Sequence, residues 1–375
     1  MKEYRCLGVR LDGAGPFLRE TKQGSQIGTK RLFWVSAGDF IYSRLFAWRG
    51  AFGVIPREFD DCYVSGEFPT FQPVSGCMDV EFVRLWFRLP TTLTRVEADC
   101  TGSTPLTRNR FKEAFFSALE IPLPPLDEQR RIVAHIEQLA ARIQEAHRLR
   151  GKAGDEADLL FSAAGAVLLA PNGDEPRPRI EELCEVRGGI QKSSARLPGA
   201  NPRRYITVAH VQRNRIDTTD PRFFEVSDAE FQGWRLLPGD VLVIEGNGSA
   251  DQIGRAALFR GEIPDCVHQN HVIRVRPDQR KLLPEYLNTY LNSAIGQSQM
   301  LERSRTTSGL FNLSVGRIKD IGVPVPALPE QRRIVAYLDN LQAKVDALKR
   351  LQAETAAELD ALLPSVLDRA FRGEH

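Results

Sequence analysis

The heptapeptide EQRRIVA occurs twice in this chain, at residues 128–134 and again at residues 330–336. Around it the match widens to IPLPPLDEQRRIVAHI (121–136) against VPVPALPEQRRIVAYL (323–338). An identity of that length at one offset constrains the fold more than composition can: the chain must build one architecture twice. Each copy opens a helix. Pro125 and Pro329 supply a fixed φ and need no amide partner in a first turn, and Asp127, Glu128 and Glu330 put negative charge at the positive helix end. Beyond them Ile132, Ile136, Leu139, Ile143 and Ala146 follow the same 4-3-4-3 spacing as Ile334, Leu338, Leu341, Val345 and Leu348. A period of about 3.5 residues predicts one apolar seam per helix. The two helices are expected to pair antiparallel about a pseudo-twofold axis, with Ile132, Ile136, Leu139 and Ile143 against Ile334, Leu338, Leu341 and Val345. They are expected to run on loosely to Leu159-Leu160 and Leu362-Leu363, with Gly151 and Gly154 weakening the first.

The repeat extends N-terminally. AGDFIYSR (37–44) aligns with PGDVLVIE (238–245), Tyr4 with Tyr205, and Asp61-Cys62 with Asp265-Cys266. Each unit therefore reads as a β-rich module followed by one long helix. Strands are expected in YITVAHV, VLVIE, HVIRVRP and FVRLWFRLP, all short and rich in β-branched or aromatic residues. Gly-Asp before a buried strand marks a tight turn. Two polar stretches, TGSTPLTRNRF (101–111) and RSRTTSGLFNLS (303–314), close the modules. The second module carries VRGGIQKSSARLPGANPRR (186–204) ahead of Tyr205, and the 375 residues hold no counterpart ahead of Tyr4. The first module is therefore expected to be abbreviated on its N-terminal side, either naturally, or because the start is misplaced, or because a separate chain supplies the missing part.

Composition adds exclusions. The six cysteines form no CxxC pair, no basic-then-apolar leader opens the chain, and the longest apolar stretch, AAGAVLLA (163–170), is too short for a bilayer. A reduced, cytoplasmic protein with no membrane partner is expected. A net charge of +2 does not by itself point to nucleic acid. Positive charge is concentrated, however, with 19 Lys and Arg against 13 Asp and Glu between Arg187 and Lys319. Catalytic motifs are missing. There is no GxxxxGK[ST] loop, and GNGSADQIG (246–254) lacks the spacing of a dinucleotide-binding turn. No acidic-x-Lys pattern follows Pro277-Asp278, and no aromatic-flanked Asn/Asp-Pro-Pro motif marks an amino-methyltransferase. In CVHQNHVIRVR (266–276), Cys266, His268 and His271 are metal-ligand types. On one strand, though, the first two point away from the third, and no second ligand pair accompanies them. Neither metal nor cofactor is expected; these read as polar side chains at a strand end, with Gln269 and Asn270 reading bases or buttressing a loop.

Two diverged β-rich modules, each feeding a similar amphipathic helix, resemble the DNA-specificity subunit of type I restriction-modification enzymes. IPLPPLDEQRRIVAHIEQL and VPVPALPEQRRIVAYLDNL carry the likeness, and AGDFIYSR and PGDVLVIE add to it. The resemblance implies an α+β fold: two β-rich α/β target-recognition domains in pseudo-twofold repeat, separated by two long antiparallel coiled-coil helices. The boundaries expected are 1–120 for the first recognition domain, 121–171 for the central helix, 172–322 for the second domain and 323–375 for the C-terminal helix. It further implies a non-catalytic subunit that reads a bipartite site in double-stranded DNA. Such a subunit docks methyltransferase (modification) subunits, two of them, and is joined by motor–nuclease (restriction) subunits.

DNA contact is expected mainly from second-module loops. The candidates are Lys192, Ser193 and Arg196 in the segment the first module lacks, Arg213, Asn214 and Arg215, Asn247 and Gln252, and Arg303, Arg305, Thr306 and Ser308. Arg suits guanine edges or phosphates and Asn or Gln suits adenine. Partner docking is expected from Glu128, Arg130, Arg131, Glu330, Arg332 and Arg333, whose recurrence the seam does not require. The local alternative is that these charges cap the helix start and bind each other. A different class of function, a non-catalytic scaffold with the same body and little specific DNA reading, is compatible with the near-neutral charge.

Overall fold

The computed structural model describes residues 3–27, 31–74, 76–101, 109–171, 177–193, 196–246, 252–304 and 312–373. The chain forms two compact units, residues 1–151 with 351–375, and residues 152–350. Each unit takes part of each long helical stretch. Helix Leu126–Leu168 is continuous for 43 residues. Its C-terminal counterpart is two helices, Leu328–Glu354 and Ala356–Phe371, parted at Thr355. The interruption thus falls in the last stretch and not at Gly151 or Gly154, because a glycine costs only about 1 kcal/mol in a helix interior. Among the described residues no helix is long and apolar enough to cross a membrane.

In the first unit, strand Glu3–Val9 pairs antiparallel with Pro16–Gln23 and parallel with Tyr63–Ser65, which also pairs with Leu32–Trp34. A second sheet sets Phe40–Tyr42 between Phe52–Val54 and Thr70–Phe71. The second unit follows the same plan. Pro202–Ile206 pairs antiparallel with Phe223–Glu225 and parallel with Cys266–His268, and Val241–Ile244 lies between Ala256–Leu258 and Val272–Pro277. One strand extends the second of these sheets: Cys184–Arg187 adds to the outer edge of Val272–Pro277. In the first unit no described strand lies on the corresponding side of Thr70–Phe71.

The Gly-Asp turns take the same form in both units. Gly38 and Gly239 hold φ of +90° and +99°, a region that residues with a Cβ rarely enter. The Asp39 and Asp240 carboxylates then accept the amides of Ser36 and Leu237 at 2.9 and 2.7 Å. One strand expectation fails. FVRLWFRLP is helical: Asp79 accepts the Glu81 amide and caps helix Val80–Trp86, whose Phe82, Val83, Leu85 and Trp86 are buried, and Pro90 opens helix Pro90–Ala98. Short apolar runs do not distinguish a strand from a buried helix.

The seams are buried against partners other than those expected. In the first unit Ile132, Val133 and Ile136 share a core with Leu367, flanked by Leu363, Val366, Ala370 and Phe371, and His147 meets Asp360 at 3.0 Å. In the second unit Ile334 and Leu338 share a core with Leu169, flanked by Phe161, Ala164 and Leu168, and Lys349 meets Asp158 at 2.7 Å. As one partner's number rises the other's falls, so within each unit the paired segments run antiparallel. The expected partnership of Ile132 and Ile136 with Ile334 and Leu338 is therefore corrected: each helix start packs on the end of the other stretch. Leu139, Ile143 and Leu341 are only half-buried, whereas Val345 is buried.

Candidate nucleic-acid interface and helix-start clamps

Burial divides the repeated heptapeptide into parts with different work. Gln129 and Gln331 are fully buried. Gln129 Nε2 donates to the carbonyls of Cys77 and Pro124 at 3.1 and 2.7 Å, while its Oε1 accepts the Asp79 amide at 2.8 Å. Gln331 Nε2 donates to the carbonyls of Lys281 and Pro326 at 2.9 and 2.8 Å, while its Oε1 accepts the Leu283 amide at 2.8 Å. Asp79 and Leu283 are the N-caps of helices Val80–Trp86 and Pro284–Asn292. One carboxamide in each unit thus ties the proline-rich approach of a long helix to the start of a module helix. A carboxamide suits the task because it donates and accepts at once without charge.

The charged part of the heptapeptide is exposed. Arg131 forks onto Glu128 at 2.9 and 2.6 Å, and Arg333 onto Glu330 at 2.8 and 2.6 Å. Arg130 stands 3.7 Å from Asp127, and Arg332 is exposed. The Arg333 guanidinium holds the Glu330 carboxyl below its usual range.

The second module has a cationic interior. Arg274, 2% exposed, pairs with Glu185 and donates to the Arg235 carbonyl at 3.1 Å. Arg276 forks onto buried Asp240 at 2.6 and 2.8 Å. Arg187 donates to the Gly233 carbonyl at 2.7 Å and lies 4.7 Å from the Trp234 ring centroid. His268 is fully buried, with Nδ1 2.7 Å from the Val272 carbonyl. A carbonyl only accepts, so Nδ1 carries the proton; Nε2 finds no partner among the described residues. Burial, then the charges of Arg274, Arg187 and Arg276, push the imidazole down to about 4 against the Val272 hydrogen bond.

Cys266, His268 and His271 do not lie on one strand. The strand ends at His268, and His271 follows a turn and meets Glu245 at 2.9 Å. Burial pushes the Cys266 thiol up to about 12. Among the described residues no group of His, Cys, Asp and Glu is placed to hold a metal ion. The backbone amides of Gln269 and Asn270, not their side chains, donate to the carbonyls of Ile206 and Ile190 at 2.9 Å each and hold the turn.

The expected DNA-contacting residues fall into three groups. Lys192, Ser193 and Arg215 are exposed. Others are engaged by neighbours within the module, Asn214 while still exposed. Arg196 forks onto Glu230 at 2.9 and 2.6 Å, and Arg213 is half-buried and partnered. Asn214, at φ +61°, turns its Oδ1 to Asn288 and Asn292. Gln252 accepts from Arg255 at 3.2 Å, and Arg303 donates to the Gln299 carbonyl at 3.2 Å. Asn247, Arg305, Thr306 and Ser308 lie outside the described residues. Sequence reasoning missed Arg255, which spans Gln212, Gln252 and the Val208 carbonyl beside the glycine-rich stretch. A lone arginine after Gly254 carried no signal of that bridging.

Comparison with known proteins bears on this architecture. The family model for the type I restriction modification DNA specificity domain matches residues 18–150 and 178–356. The chain is 28% identical over 283 residues to the type I restriction enzyme EcoKI specificity subunit of Escherichia coli K12, covering 71% of this chain and 60% of that protein. It is 26% identical over 284 residues to the StySPI specificity subunit of Salmonella potsdam, with the same 71% and 60% coverage. The match thus spans less than two thirds of the length of these relatives. Among solved structures, the HsdS subunit from Thermoanaerobacter tengcongensis is similar over 100% of this chain and 91% of its own, with a TM-score of 0.68 and 25% identity. A structure concerned with complex assembly and conformational transition of the type I R-M system is similar over 100% of this chain and 92% of its own, with a TM-score of 0.71 and 25% identity.

Proposed function

This chain belongs to the type I restriction-modification DNA specificity family, and we propose from that premise that it is the non-catalytic subunit that reads a bipartite site in double-stranded DNA. Each β-rich module reads one half-site. Methyltransferase subunits dock on the long helices and perform the chemistry, and motor–nuclease subunits join them. One observation carries the reading: the two units share a strand plan and a helix-start clamp, yet their loops differ. Arg213, Asn214 and Arg215 align with Asp12, Gly13 and Ala14, so two readers of different words sit on one kind of body. A helix of 43 residues is ~65 Å long, which suits half-sites about one DNA turn apart. Both helical stretches also expose large apolar side chains, among them Leu149, Leu159, Val167, Tyr337 and Leu351, a surface that a docked partner would cover. The equivalent Glu128–Arg131 and Glu330–Arg333 forks suit two like partners.

The test is to purify the chain with its cognate methyltransferase and map methylated positions on genomic DNA. A split, asymmetric motif whose one half changes when the second module is exchanged is the expected result. Methylation without sequence preference would overturn it. A scaffold reading is favoured by one observation: Arg196, Arg203, Arg222, Arg276 and Arg280 are each paired with a carboxylate. Binding to random duplex and target duplex with equal affinity and equal salt dependence would support it.

A further inference from the structure

We propose that Arg88, with Arg49 on the same turn, forms a phosphate-binding site in the first unit and holds a phosphodiester group of the DNA backbone, an inference that rests on the DNA-reading function proposed above. Arg88 lies between helix Val80–Trp86 and helix Pro90–Ala98. Its side chain packs on the turn at Asp12–Gly13: a Cβ on Gly13 would stand 3.0 Å from the Arg88 Cγ and 3.2 Å from its Cδ. Gly13 makes room for this arginine, and at φ +69° it holds a backbone conformation that other residues rarely adopt. The turn is pinned from its other side, where the Asp12 and Gly13 amides donate to the carbonyls of Arg49 and Gly50 at 3.0 and 2.8 Å.

The second unit makes the same contact in neutral form. FVRLWFRLP (82–90) aligns with YLNTYLNSA (286–294) at the Asp61/Asp265 offset, which sets Arg88 against Asn292; Gly13 aligns with Asn214 at the Tyr4/Tyr205 offset. Asn292 Nδ2 donates to Asn214 Oδ1 at 2.7 Å and to the Ala256 carbonyl at 2.8 Å, so this position is satisfied inside the module. In the first unit the facing residue is a glycine with no side chain to offer. Arg88 is half-buried, and among the described residues its guanidinium makes neither a hydrogen bond nor an ion pair. Burial first, and then the like charge of Arg84, weaken its hold on the proton, while Arg84 itself is paired with Glu81. Arg49 is exposed, lies 5.9 Å from the Trp48 ring centroid and makes no ion pair among the described residues; Asp12, exposed in the turn, is paired with neither arginine. A partly desolvated guanidinium without a partner is a cost to the fold alone. It suits a phosphate, whose oxygens take two parallel N–H donors. Among the described residues, none of 177–204 lines the equivalent place in the second unit. The cavity beside Asn292 is walled there by Asn214, Leu258, Asn288 and Thr289 with residues of the two long helical stretches. The open guanidinium is therefore a property of the turn and the helix that meet at Arg88.

The test uses the full chain purified with its cognate methyltransferase, bound over a range of salt to duplex carrying the mapped site and to random duplex. Each phosphate neutralised contributes about 0.9 to the slope of log K against log salt. Arg88→Gln should lower the magnitude of that slope by about 0.9 on both duplexes and weaken both alike, with the melting temperature of the chain unchanged or raised. Arg88→Lys, which keeps the charge, should restore most of the slope. An unchanged slope in Arg88→Gln would overturn the site, and a lower melting temperature with the slope intact would assign Arg88 to packing alone. Equal wild-type affinity for the two duplexes would instead overturn the function proposed above, while the slope on random duplex still decides this site. Inorganic phosphate at constant ionic strength is the second probe. Phosphate that raises the melting temperature of the wild type but not of Arg88→Gln, with the DNA slope unchanged, would overturn DNA as the source in favour of free phosphate.

Discussion

Replacing Gln331 by Ala tests the view that the repeated heptapeptide is first a structural clamp. The side chain is fully buried and makes three hydrogen bonds, to the Lys281 and Pro326 carbonyls and from the Leu283 amide. Truncation removes one partner from each of three backbone groups. A buried group left unsatisfied costs about 1–3 kcal/mol, and a water entering the vacated space would recover part of that. A loss of about 3–5 kcal/mol is expected. Gln129→Ala should cost a similar amount, since it frees the Cys77 and Pro124 carbonyls and the Asp79 amide. The assay is urea denaturation followed separately for the two units, because a chain of two compact parts need not unfold in one step. Hydrogen exchange at the Leu283 amide supplies a local readout, and its protection should fall in Gln331→Ala and persist in Gln129→Ala. A loss below about 1 kcal/mol, with Leu283 still protected, would refute the clamp.

Three further outcomes follow from the geometry. The second unit should lose stability as pH falls from about 6.5 toward about 4: His268 stays neutral in the fold down to about 4, while an unfolded histidine protonates near 6.5, so the unfolded state binds the extra proton first. A urea titration across that window should show the loss, and His268→Phe should flatten it. Arg196→Ala should lower the melting temperature by breaking the fork to Glu230, whose carboxyl Arg196 holds down to about 2. Lys192→Ala and Arg215→Ala should leave melting unchanged while reducing the salt dependence of DNA binding in gel shifts. Replacing Arg130 and Arg332 together by Ala should preserve melting and lose methyltransferase in a pull-down; lost stability with binding intact would instead favour a local capping role.

What the sequence made legible was periodic or local. The helix starts, the seams and the Gly-Asp turns were readable because each is set by neighbours within a turn or two. Val80–Trp86 was misread because five apolar residues in seven fit either element, although Asp79 ahead of it and Pro90 behind were helix signals. The seam partners were misassigned because matching helix starts invite pairing with each other, whereas antiparallel packing puts a start against an end. Gln129 and Gln331 stood inside the most obvious motif and still escaped. Their partners at Cys77 and Lys281 lie 52 and 50 residues away, and no local pattern encodes such a contact. The same distance problem hid the Arg196–Glu230 fork, 34 residues apart in sequence.

The recurrence of one helix start divides into two parts by burial. Gln129, Ile132, Gln331 and Ile334 face inward, and folding two similar units is sufficient reason for them to recur. Glu128, Arg131, Glu330 and Arg333 form the same fork in both copies at the surface, where ion pairs contribute little to stability. The core would tolerate their loss in either copy. A feature that folding does not require, kept in the same geometry at two places, calls for a cause outside the fold. Two like partners seated on the two helix starts would be such a cause. A single partner or none would leave the second fork without a purpose, which is why replacing Arg131 and Arg333 together, rather than either alone, and measuring methyltransferase pull-down decides it.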